Sequence, residues 1–272
     1  MSNERIIIRG GGDLATGVVQ KFYRSGFDVL VLETHAPTAI RRAVSLSEAV
    51  YEGQSTVEDM HCRKVTTLDE IQSCWHNNII PMLVDPEGTS IQGIKPNAVV
   101  DAIIAKKNLG TSKDMADITI ALGPGFCAGK DVNVVIETMR GNNLGKLIFE
   151  GYATPDTGIP AEIAGESAKR VIYAPTTGAV KHLKQIGSIV EKGDVMLSVN
   201  NTEVCAPFSG LIRGLIRDGM SVSKGLKIAD IDKRINVDYL AISDKAQCLG
   251  DAVLEAYLLM RNKSRDSLLP AR

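Results

Sequence analysis

A run of three glycines followed by an aspartate is the first stretch of the sequence whose residue types could do chemistry. Gly10, Gly11 and Gly12 precede Asp13, and together with Ala15 they fit the pattern G-x-G-x-x-A. In such a loop one glycine makes a tight turn, a second lets backbone approach a pyrophosphate, and the alanine lets a helix pack on a strand. The N-terminus of that helix offers N–H groups and a partial positive charge to the anion. The pattern predicts a nucleotide-binding loop.

An acidic residue lies where a dinucleotide site would use one. Glu33 follows Gly12 by 21 residues, and a carboxylate at that spacing can accept a hydrogen bond from a ribose hydroxyl. The competing interpretation is that Asp13 is only the N-cap of the helix, satisfying the first-turn N–H groups itself. In that case the glycine loop is a structural turn without a bound dinucleotide. Both interpretations remain open from the sequence.

A second glycine loop carries a thiol. Gly123 and Gly125 precede Cys127 in G-P-G-F-C-A-G-K-D, directly after the apolar run I-T-I-A-L. Ligands of open α/β sheets lie beyond the carboxyl ends of the strands, so we expect the two glycine loops to face one crevice. Cys127 is then either a soft thiol on a flexible loop or a small buried apolar residue, which is the commoner state of a free cysteine.

The first glycine loop needs a strand before it and a helix after it, and the first half of the chain supplies both. Apolar runs alternate with segments of helical periodicity, which predicts βαβ units and a largely parallel sheet. We expect Pro81 to place its strand toward an edge of that sheet. The predicted strands are 5–9, 28–33, 63–66, 79–85, 98–105, 118–122, 133–139 and 146–150, and the predicted helices are 14–24 and 68–77.

The composition and charge of the chain argue against several classes of function. The chain has 272 residues, 44% of them hydrophobic, and 31 basic against 32 acidic residues give a net charge of −1. No basic block favours a nucleic-acid partner, and no apolar run predicts a membrane segment or a signal peptide, so we expect a cytoplasmic protein. The five cysteines include no C-x-x-C pair and the four histidines are scattered, so we expect neither a disulfide framework nor a metal site.

The second half contains an internal repeat. A-P-T-T-G at 174–178 and A-P-F-S-G at 206–210 begin two similar stretches, and Gly178, Gly187 and Gly193 recur with an offset of 32 residues. Two such halves packed face to face resemble the barrel-sandwich of biotinyl and lipoyl carrier domains. Those domains carry a modifiable lysine between their halves, whereas no lysine occurs from Gly193 to Ser223. We therefore expect a rigid β module without biotin or lipoyl.

The predicted fold class is α/β, with a Rossmann-like, mostly parallel sheet domain followed by a small all-β barrel-sandwich module and a C-terminal helix. The boundaries expected are 1–165 for the nucleotide-binding domain, 166–235 for the module, and 236–272 for the helix and tail. Ser243 is expected to cap the helix, which has an apolar stripe along one face, and the tail from Asn262 is expected to fray.

Several long motifs resemble one known family. I-I-R-G-G-G-D-L-A-T-G, A-I-R-R-A-V-S-L-S-E-A-V-Y-E-G, A-L-G-P-G-F-C-A-G-K-D-V, V-I-E-T-M-R-G-N-N-L-G and G-L-K-I-A-D-I-D are similar to segments of the YqeB family, proteins of the selenium-dependent molybdenum hydroxylase system. The family is in turn similar to the xanthine dehydrogenase accessory factors, which have a Rossmann-like domain. The resemblance implies a maturation role for enzymes related to xanthine dehydrogenase, with a molybdenum hydroxylase as client. It assigns no catalytic residue.

The sequence thus leaves competing functions. The first is a maturation factor that binds a nucleotide or the pterin dinucleotide form of the molybdenum cofactor; the second is an NAD(P)-dependent oxidoreductase, favoured by the loop and Glu33. The third is an interaction module with an empty crevice. No Tyr-x-x-x-Lys pair and no histidine–carboxylate relay supports hydride transfer. Whether the chain catalyses a reaction, and whether it forms a homo-oligomer, stay open.

Overall fold

The computed structural model describes residues 4–158, 165 and 168–267. The chain divides into two compact units. The first comprises Met1–Pro37, Leu46–Asp156 and Ile242–Arg272, and the second comprises Thr38–Ser45 and Thr157–Ala241.

A nine-stranded sheet forms the centre of the first unit, in the order β10-β9-β7-β6-β1-β2-β5-β4-β3. The inner strands are apolar and buried because both faces of the sheet are covered. A separate two-stranded ribbon pairs β8 with β11. The strands of this unit are β1 (Arg5–Arg9), β2 (Asp28–Glu33), β3 (Gln54–Val57), β4 (Met60–Val65), β5 (Ile80–Val84), β6 (Ala98–Asp101), β7 (Ile118–Leu122), β8 (Cys127–Ala128), β9 (Val134–Ile136), β10 (Leu147–Ile148) and β11 (Gly151–Tyr152).

The helices α1 (Asp13–Arg24) and α5 (Asp244–Ser267) cross closely in the first unit. A Cβ atom on Gly17 would lie 2.3 Å from the carbonyl oxygen of Ala246, so the crossing requires glycine. Phe22, Phe27 and Tyr257 pack edge to face beside it. The helices of this unit are α1 (Asp13–Arg24), α2 (Ala49–Glu52), α3 (Leu68–His76), α4 (Ile91–Ile94) and α5 (Asp244–Ser267).

The predicted Rossmann-like domain is wrong, because the sheet is mixed and its crossovers are not regularly helical. The β3–β4 and β9–β10 pairs are antiparallel and extend the sheet at both ends. The connection from β5 to β6 contains only the four-residue α4, and that from β6 to β7 contains a 3-10 turn at Lys113–Met115. A doubly wound fold needs longer crossover helices to cover each face of its sheet.

Other details of this unit also differ from the sequence prediction. Pro81 does not lie in an edge strand, since β5 pairs with both β2 and β4. A proline costs a central strand only the hydrogen bond of its own missing N–H. The predicted strand 98–105 ends at Asp101, and Ile104 and Lys106 beyond it have left-handed backbone conformations. Helix α5 continues past Asn262 to Ser267 rather than fraying there, and the tail from 268 lies outside the described residues.

The second unit consists of two four-stranded antiparallel sheets, in the orders β12-β19-β17-β14 and β16-β15-β13-β18. Buried side chains of both sheets, among them Val180, Leu197, Ile212 and Ile231, form one apolar cluster. The strands are β12 (Val171–Tyr173), β13 (Gly178–His182), β14 (Ile189–Val190), β15 (Val195–Val199), β16 (Thr202–Cys205), β17 (Gly210–Leu215), β18 (Ser221–Val222) and β19 (Lys227–Asp232).

The 32-residue repeat is visible in these strands, since β13, β14 and β15 begin 32 residues before β17, β18 and β19. The predicted barrel-sandwich module is nevertheless wrong. It supposed one half for each repeat, whereas β14 of the first repeat pairs with β17 of the second, and β18 of the second pairs with β13 of the first. Each sheet is therefore assembled from both repeats.

Within the described part of the chain, no helix combines the length and the apolar character that crossing a bilayer would demand.

Candidate functional site

The glycine loop between β1 and α1 is held tightly by its surroundings. Gly10 has φ +99°, and its N–H donates to the carbonyl oxygen of Leu32 at 2.7 Å. A Cβ on Gly11 would lie 2.9 Å from Met82 Cε and 3.2 Å from the backbone nitrogen of Ser47. Gly10 is therefore required by a left-handed turn, and Gly11 is closely packed against Met82 and Ser47.

Gly12 occupies a different environment. It is the N-cap of α1, with φ −67° and ψ −179°, and no side chain caps the helix there. A Cβ at this position would meet nothing within 4 Å. Asp13 is the first helical residue rather than the N-cap, so the alternative that Asp13 caps the helix is wrong. Ala15 is buried, as packing of the helix on the sheet requires.

Glu33, at the end of β2, lies against the glycine loop. Its Oε2 atom accepts from the N–H of Gly11 at 2.8 Å, and its Oε1 atom accepts from the N–H of Thr34 at 2.7 Å. Burial raises the pKa of the Glu33 carboxyl, although the two backbone donors oppose the shift. The sequence predicted that Glu33 and the loop share a site, and the structure brings Glu33 and Gly11 together.

A segment that the sequence analysis did not assign to the site also contacts the loop. The N–H of Ser47 donates to the carbonyl oxygen of Gly11 at 2.8 Å. The Thr16 hydroxyl donates to the carbonyl oxygen of Gly12 at 2.9 Å and accepts from the N–H of Leu46 at 3.1 Å. Both Leu46 and Ser47 belong to the motif A-I-R-R-A-V-S-L-S-E-A-V-Y-E-G. That motif is the sequence feature that could have assigned this segment to the site.

The second glycine loop follows β7 and lies near the chain segment that follows β6. Gly123 has φ +76°, and its N–H donates to the carbonyl oxygen of Ile136 at 2.9 Å. A Cβ on Gly125 would lie 2.6 Å from Lys107 Cα, and one on Gly10 would lie 3.0 Å from the carbonyl oxygen of Ala102. The two glycine loops therefore contact the two ends of the same segment, 102–107, at the carboxyl edge of the sheet.

Cys127 is half-buried, between the two interpretations that the sequence left open. It lies in β8 opposite Tyr152 of β11, and its N–H donates to Asp131 Oδ2 at 2.8 Å. A side-chain hydrogen bond to Cys127 raises the pKa of the exposed Tyr152 phenol. The Cys127 thiol and N–H group donate hydrogen bonds to Ala128 and Asp131, within their own loop.

A buried polar cluster below the loops was missed by sequence reasoning. Arg9 ends β1 and Asp101 ends β6, and their side chains approach to 4.0 Å. Asp101 Oδ2 accepts from the Thr111 hydroxyl at 2.6 Å, and Arg9 Nη2 donates to the carbonyl oxygen of Pro86 at 2.7 Å. The sequence feature that could have indicated this cluster is the charged residue at the end of each of the two apolar strands. The cluster fixes the connections that leave this edge of the sheet.

The residues that the structure describes contain no group of three or more histidine, cysteine, aspartate or glutamate side chains that could hold a metal ion. The carboxylates at the carboxyl edge instead accept backbone N–H groups. Asp85 binds the N–H groups of Thr89 and Ser90, and Glu137 binds those of Met139 and Thr154. These carboxylates order the loops around the candidate site.

Several solved structures are distantly similar to the chain. One is an aspartoacylase family protein from Mesorhizobium loti, with 11% identity, 85% of each chain covered and a TM-score of 0.25. Another is the product-bound ectoine utilization protein EutE (DoeB) from Ruegeria pomeroyi, with 10% identity, 85% of each chain covered and a TM-score of 0.25. A succinylglutamate desuccinylase/aspartoacylase from Rhodobacter sphaeroides shows 13% identity, 85% coverage of each chain and a TM-score of 0.26.

No protein-family model matches the chain. Among curated proteins, the chain is 44% identical over 262 residues to the "Uncharacterized protein YqeB" of Escherichia coli (strain K12). The match covers 96% of this chain and 48% of that protein, so the chain spans about half the length of the curated relative. The similarity supports a relationship of this chain to the YqeB family.

Proposed function

We propose that this protein is an accessory factor in the maturation of selenium-dependent molybdenum hydroxylases related to xanthine dehydrogenase. In this proposal its glycine loop binds a nucleotide or the dinucleotide form of molybdopterin. The client is the hydroxylase, which receives its completed molybdenum site with the help of this protein. The similarity to the YqeB family and the geometry of the Gly10–Gly12 loop support the proposal.

The observation that best supports a phosphate-containing ligand is the uncapped and uncovered backbone at Gly12. The 12-residue helix α1 begins there, no side chain caps it, and the space where a Cβ would point is empty to 4 Å. N–H groups at the start of a helix have no intrahelical acceptor, and the helix dipole favours an anion at this end. A pyrophosphate matches this arrangement of donors and positive potential.

Both candidate ligands, a nucleotide and molybdopterin dinucleotide, contain linked phosphates. NAD(P), other nucleotides with linked phosphates and molybdopterin dinucleotide all present a pyrophosphate or polyphosphate to the loop. Glu33 lies beside Gly11, where a carboxylate can also receive a ribose hydroxyl. Because Glu33 already accepts two backbone N–H groups, a ribose hydroxyl would add to these bonds and use a remaining lone pair.

Glu33 is also the specific observation that favours the second candidate, an NAD(P)-dependent oxidoreductase. The two candidates make different demands on turnover. A maturation factor holds its cofactor for transfer and needs no hydride acceptor, whereas an oxidoreductase must change the absorbance of NAD(P)H on addition of substrate. Oxidation of NAD(P)H by the purified protein in the presence of an added carbonyl substrate, which accepts the hydride, would favour the second candidate.

The maturation role is tested in the native host. Deletion of the gene is expected to lower the specific activity of the host's molybdenum hydroxylase at least tenfold and to reduce its content of selenium or molybdenum, with hydroxylase protein still present. Wild type and Gly93→Val should restore activity, whereas Gly12→Val should not. Gly93 is a matched control because its Cβ would also meet nothing within 4 Å. Full hydroxylase activity and normal metal and selenium content in the deletion strain would contradict the role.

A further inference from the structure

The segment 102–107, which contacts both glycine loops, has backbone conformations that side chains rarely allow. Ile104 has φ +59° and Lys106 has φ +62°, whereas φ is negative at Ile103, Ala105 and Lys107. Left-handed backbone is uncommon outside glycine, and a β-branched residue such as isoleucine adopts it only under constraint. Strained backbone of this kind persists where the surrounding structure imposes it, and it is concentrated at ligand-binding sites.

The alternating sign of φ determines where the N–H groups of this segment point. Negative and positive φ in alternation turn successive N–H groups toward one concave side of the chain, and such backbone nests bind anions. The N–H of Ala102 donates to the carbonyl oxygen of Arg9 at 2.8 Å, and that of Ile103 donates to Asp101 Oδ1 at 3.2 Å. The N–H groups of residues 104–107, by contrast, have no acceptor within the described part of the chain.

The two glycine loops hold the segment in this conformation. A Cβ on Gly10 would lie 3.0 Å from the carbonyl oxygen of Ala102 and 3.1 Å from Ile103 Cα. A Cβ on Gly125 would lie 2.6 Å from the backbone nitrogen of Lys107. Each loop can pack this closely only because it has no side chain at the contact. The nest, defined by the N–H groups of residues 104–107, is therefore built into the carboxyl edge of the sheet.

The nest is open to solvent and carries positive charge. Lys106 and Lys107 are exposed, and Ala105 is half-buried, so an ion can reach these N–H groups directly from water. Lys106 Nζ donates to Asp156 Oδ2 at 2.7 Å. The Lys107 ammonium group has no ion pair among the residues that the structure describes. One uncompensated positive charge thus lies beside N–H groups that lack acceptors, and this combination favours an anion over a neutral ligand.

We propose that the nest at residues 104–107 binds an oxyanion of the phosphate class. Several main-chain N–H groups converge on one anion in this geometry, and hydrogen bonds to an ionised acceptor are stronger than the bonds to water that they replace. The oxyanion is either a free phosphate ion or a phosphate group of a larger ligand held by the neighbouring glycine loops. Both present the same oxygen atoms to the nest.

The test is a titration of the isotope-labelled full chain with inorganic phosphate, followed by the NMR signals of its backbone amides. Sodium chloride at matched ionic strength is the salt control. The amides of residues 104–107 are expected to shift saturably with phosphate and not with chloride. No phosphate-specific shift at residues 104–107 would overturn the proposal. Shifts confined to Gly12 and Asp13 would also overturn it, while leaving intact the ligand proposed for the first glycine loop.

A matched pair of variants isolates the backbone contribution. Lys106→Gly and Lys106→Pro remove the same charge and the same ion pair with Asp156. Glycine adopts positive φ freely and keeps its N–H group, whereas proline is fixed at φ of about −65° and has no N–H group. Lys106→Pro should therefore bind phosphate at least tenfold more weakly than Lys106→Gly. Both variants should fold, because residue 106 is exposed. Equal phosphate affinity of the two variants would overturn the proposal.

Titration with ATP separates the two sources of the oxyanion. If a free phosphate ion is bound, wild type and Gly12→Val should bind inorganic phosphate at the nest with equal affinity, and ATP should have no advantage over it. If a nucleotide supplies the phosphate, the amides of residues 104–107 should respond to ATP at lower concentrations than to phosphate, and Gly12→Val should weaken that response. Either pattern supports the nest. Binding of both ligands without any shift at residues 104–107 would overturn it.

Discussion

The N–H of Gly11 donates to Glu33 Oε2 at 2.8 Å, which joins the loop after β1 directly to the end of β2. One carboxylate thereby fixes the backbone next to Gly12 while its second oxygen orders Thr34. The glycine loop is consequently organised before any ligand binds. A preorganised donor loop lowers the entropic cost of binding an anion.

The first prediction concerns the pH dependence that this carboxylate confers. Burial raises the folded-state pKa of Glu33 above its ordinary value of 4.5. The folded protein then holds a proton that the unfolded chain has released, so this contribution to stability falls as pH rises from about 4.5 through the raised pKa. The Glu33→Gln variant has no titrating carboxyl at this position. The melting temperature of wild type minus that of Glu33→Gln should therefore decrease over that pH window. A difference that stays constant or grows with pH would contradict the prediction.

The second prediction concerns the crossing of α1 and α5. Gly17→Ala places a Cβ where the Ala246 carbonyl oxygen lies 2.3 Å away, so the helices must separate. We expect a loss of about 1–3 kcal/mol in the free energy of unfolding, measured by urea denaturation. Gly12→Ala is the control, since its Cβ meets nothing within 4 Å. Equal stability of Gly17→Ala and wild type would show that the crossing is looser than the structure indicates.

The local sequence signals were sufficient for the elements around the loop. The predicted bounds of β1, β2 and β7 agree with the structure because each is an apolar run closed by glycine or a polar residue. The N-cap of α5 was also predicted, since the Ser243 hydroxyl accepts from the N–H of Ala246 at 3.2 Å. These features depend on residues that are neighbours in sequence.

Features that depend on distant contacts were not predictable in the same way. The β3–β4 hairpin was missed as a pair, because Gln54–Val57 is a polar strand at the edge of the sheet. The exchange of strands between the two repeats depends on pairing partners, which a repeat in sequence does not specify. Likewise, the contact of Ser47 with Gly11 joins residues 36 positions apart and follows only from the packed structure.

The third prediction concerns thiol reactivity. All five cysteines are free, and Cys205 is exposed while Cys62 and Cys74 are buried. Burial raises the pKa of Cys62 to about 12, so its reactive thiolate is scarce near neutral pH. In native protein an aromatic disulfide reagent should label Cys205 first, and Cys62 and Cys74 only after unfolding. Mass mapping of labelled peptides checks the order, and fast native labelling of Cys62 would contradict it.

The fourth prediction concerns the hydroxyl that links α1 to the segment beginning at Leu46. Thr16→Val keeps the shape of the buried side chain but leaves the N–H of Leu46 without its acceptor at 3.1 Å. We expect a loss of about 1–3 kcal/mol in stability. Thr56→Val removes an exposed hydroxyl whose hydrogen bond to His61 Nδ1 at 3.1 Å water can replace, so it should change stability by less than about 0.5 kcal/mol. Similar losses in both variants would argue against a specific role for Thr16.

The central claim is that the open backbone at Gly12 receives the phosphates of a nucleotide or pterin dinucleotide. Calorimetric titration of wild type and Gly12→Val with NAD, ATP and molybdopterin cytosine dinucleotide tests it most directly. Because Gly12 has φ −67°, valine adds no left-handed strain, and the melting temperature without ligand should change little. A lost charge-assisted hydrogen bond to phosphate is worth about 1.5–3 kcal/mol, so binding should weaken at least tenfold. A wild-type protein that binds none of the three at millimolar concentration, or a Gly12→Val variant that binds them equally well, would contradict the claim.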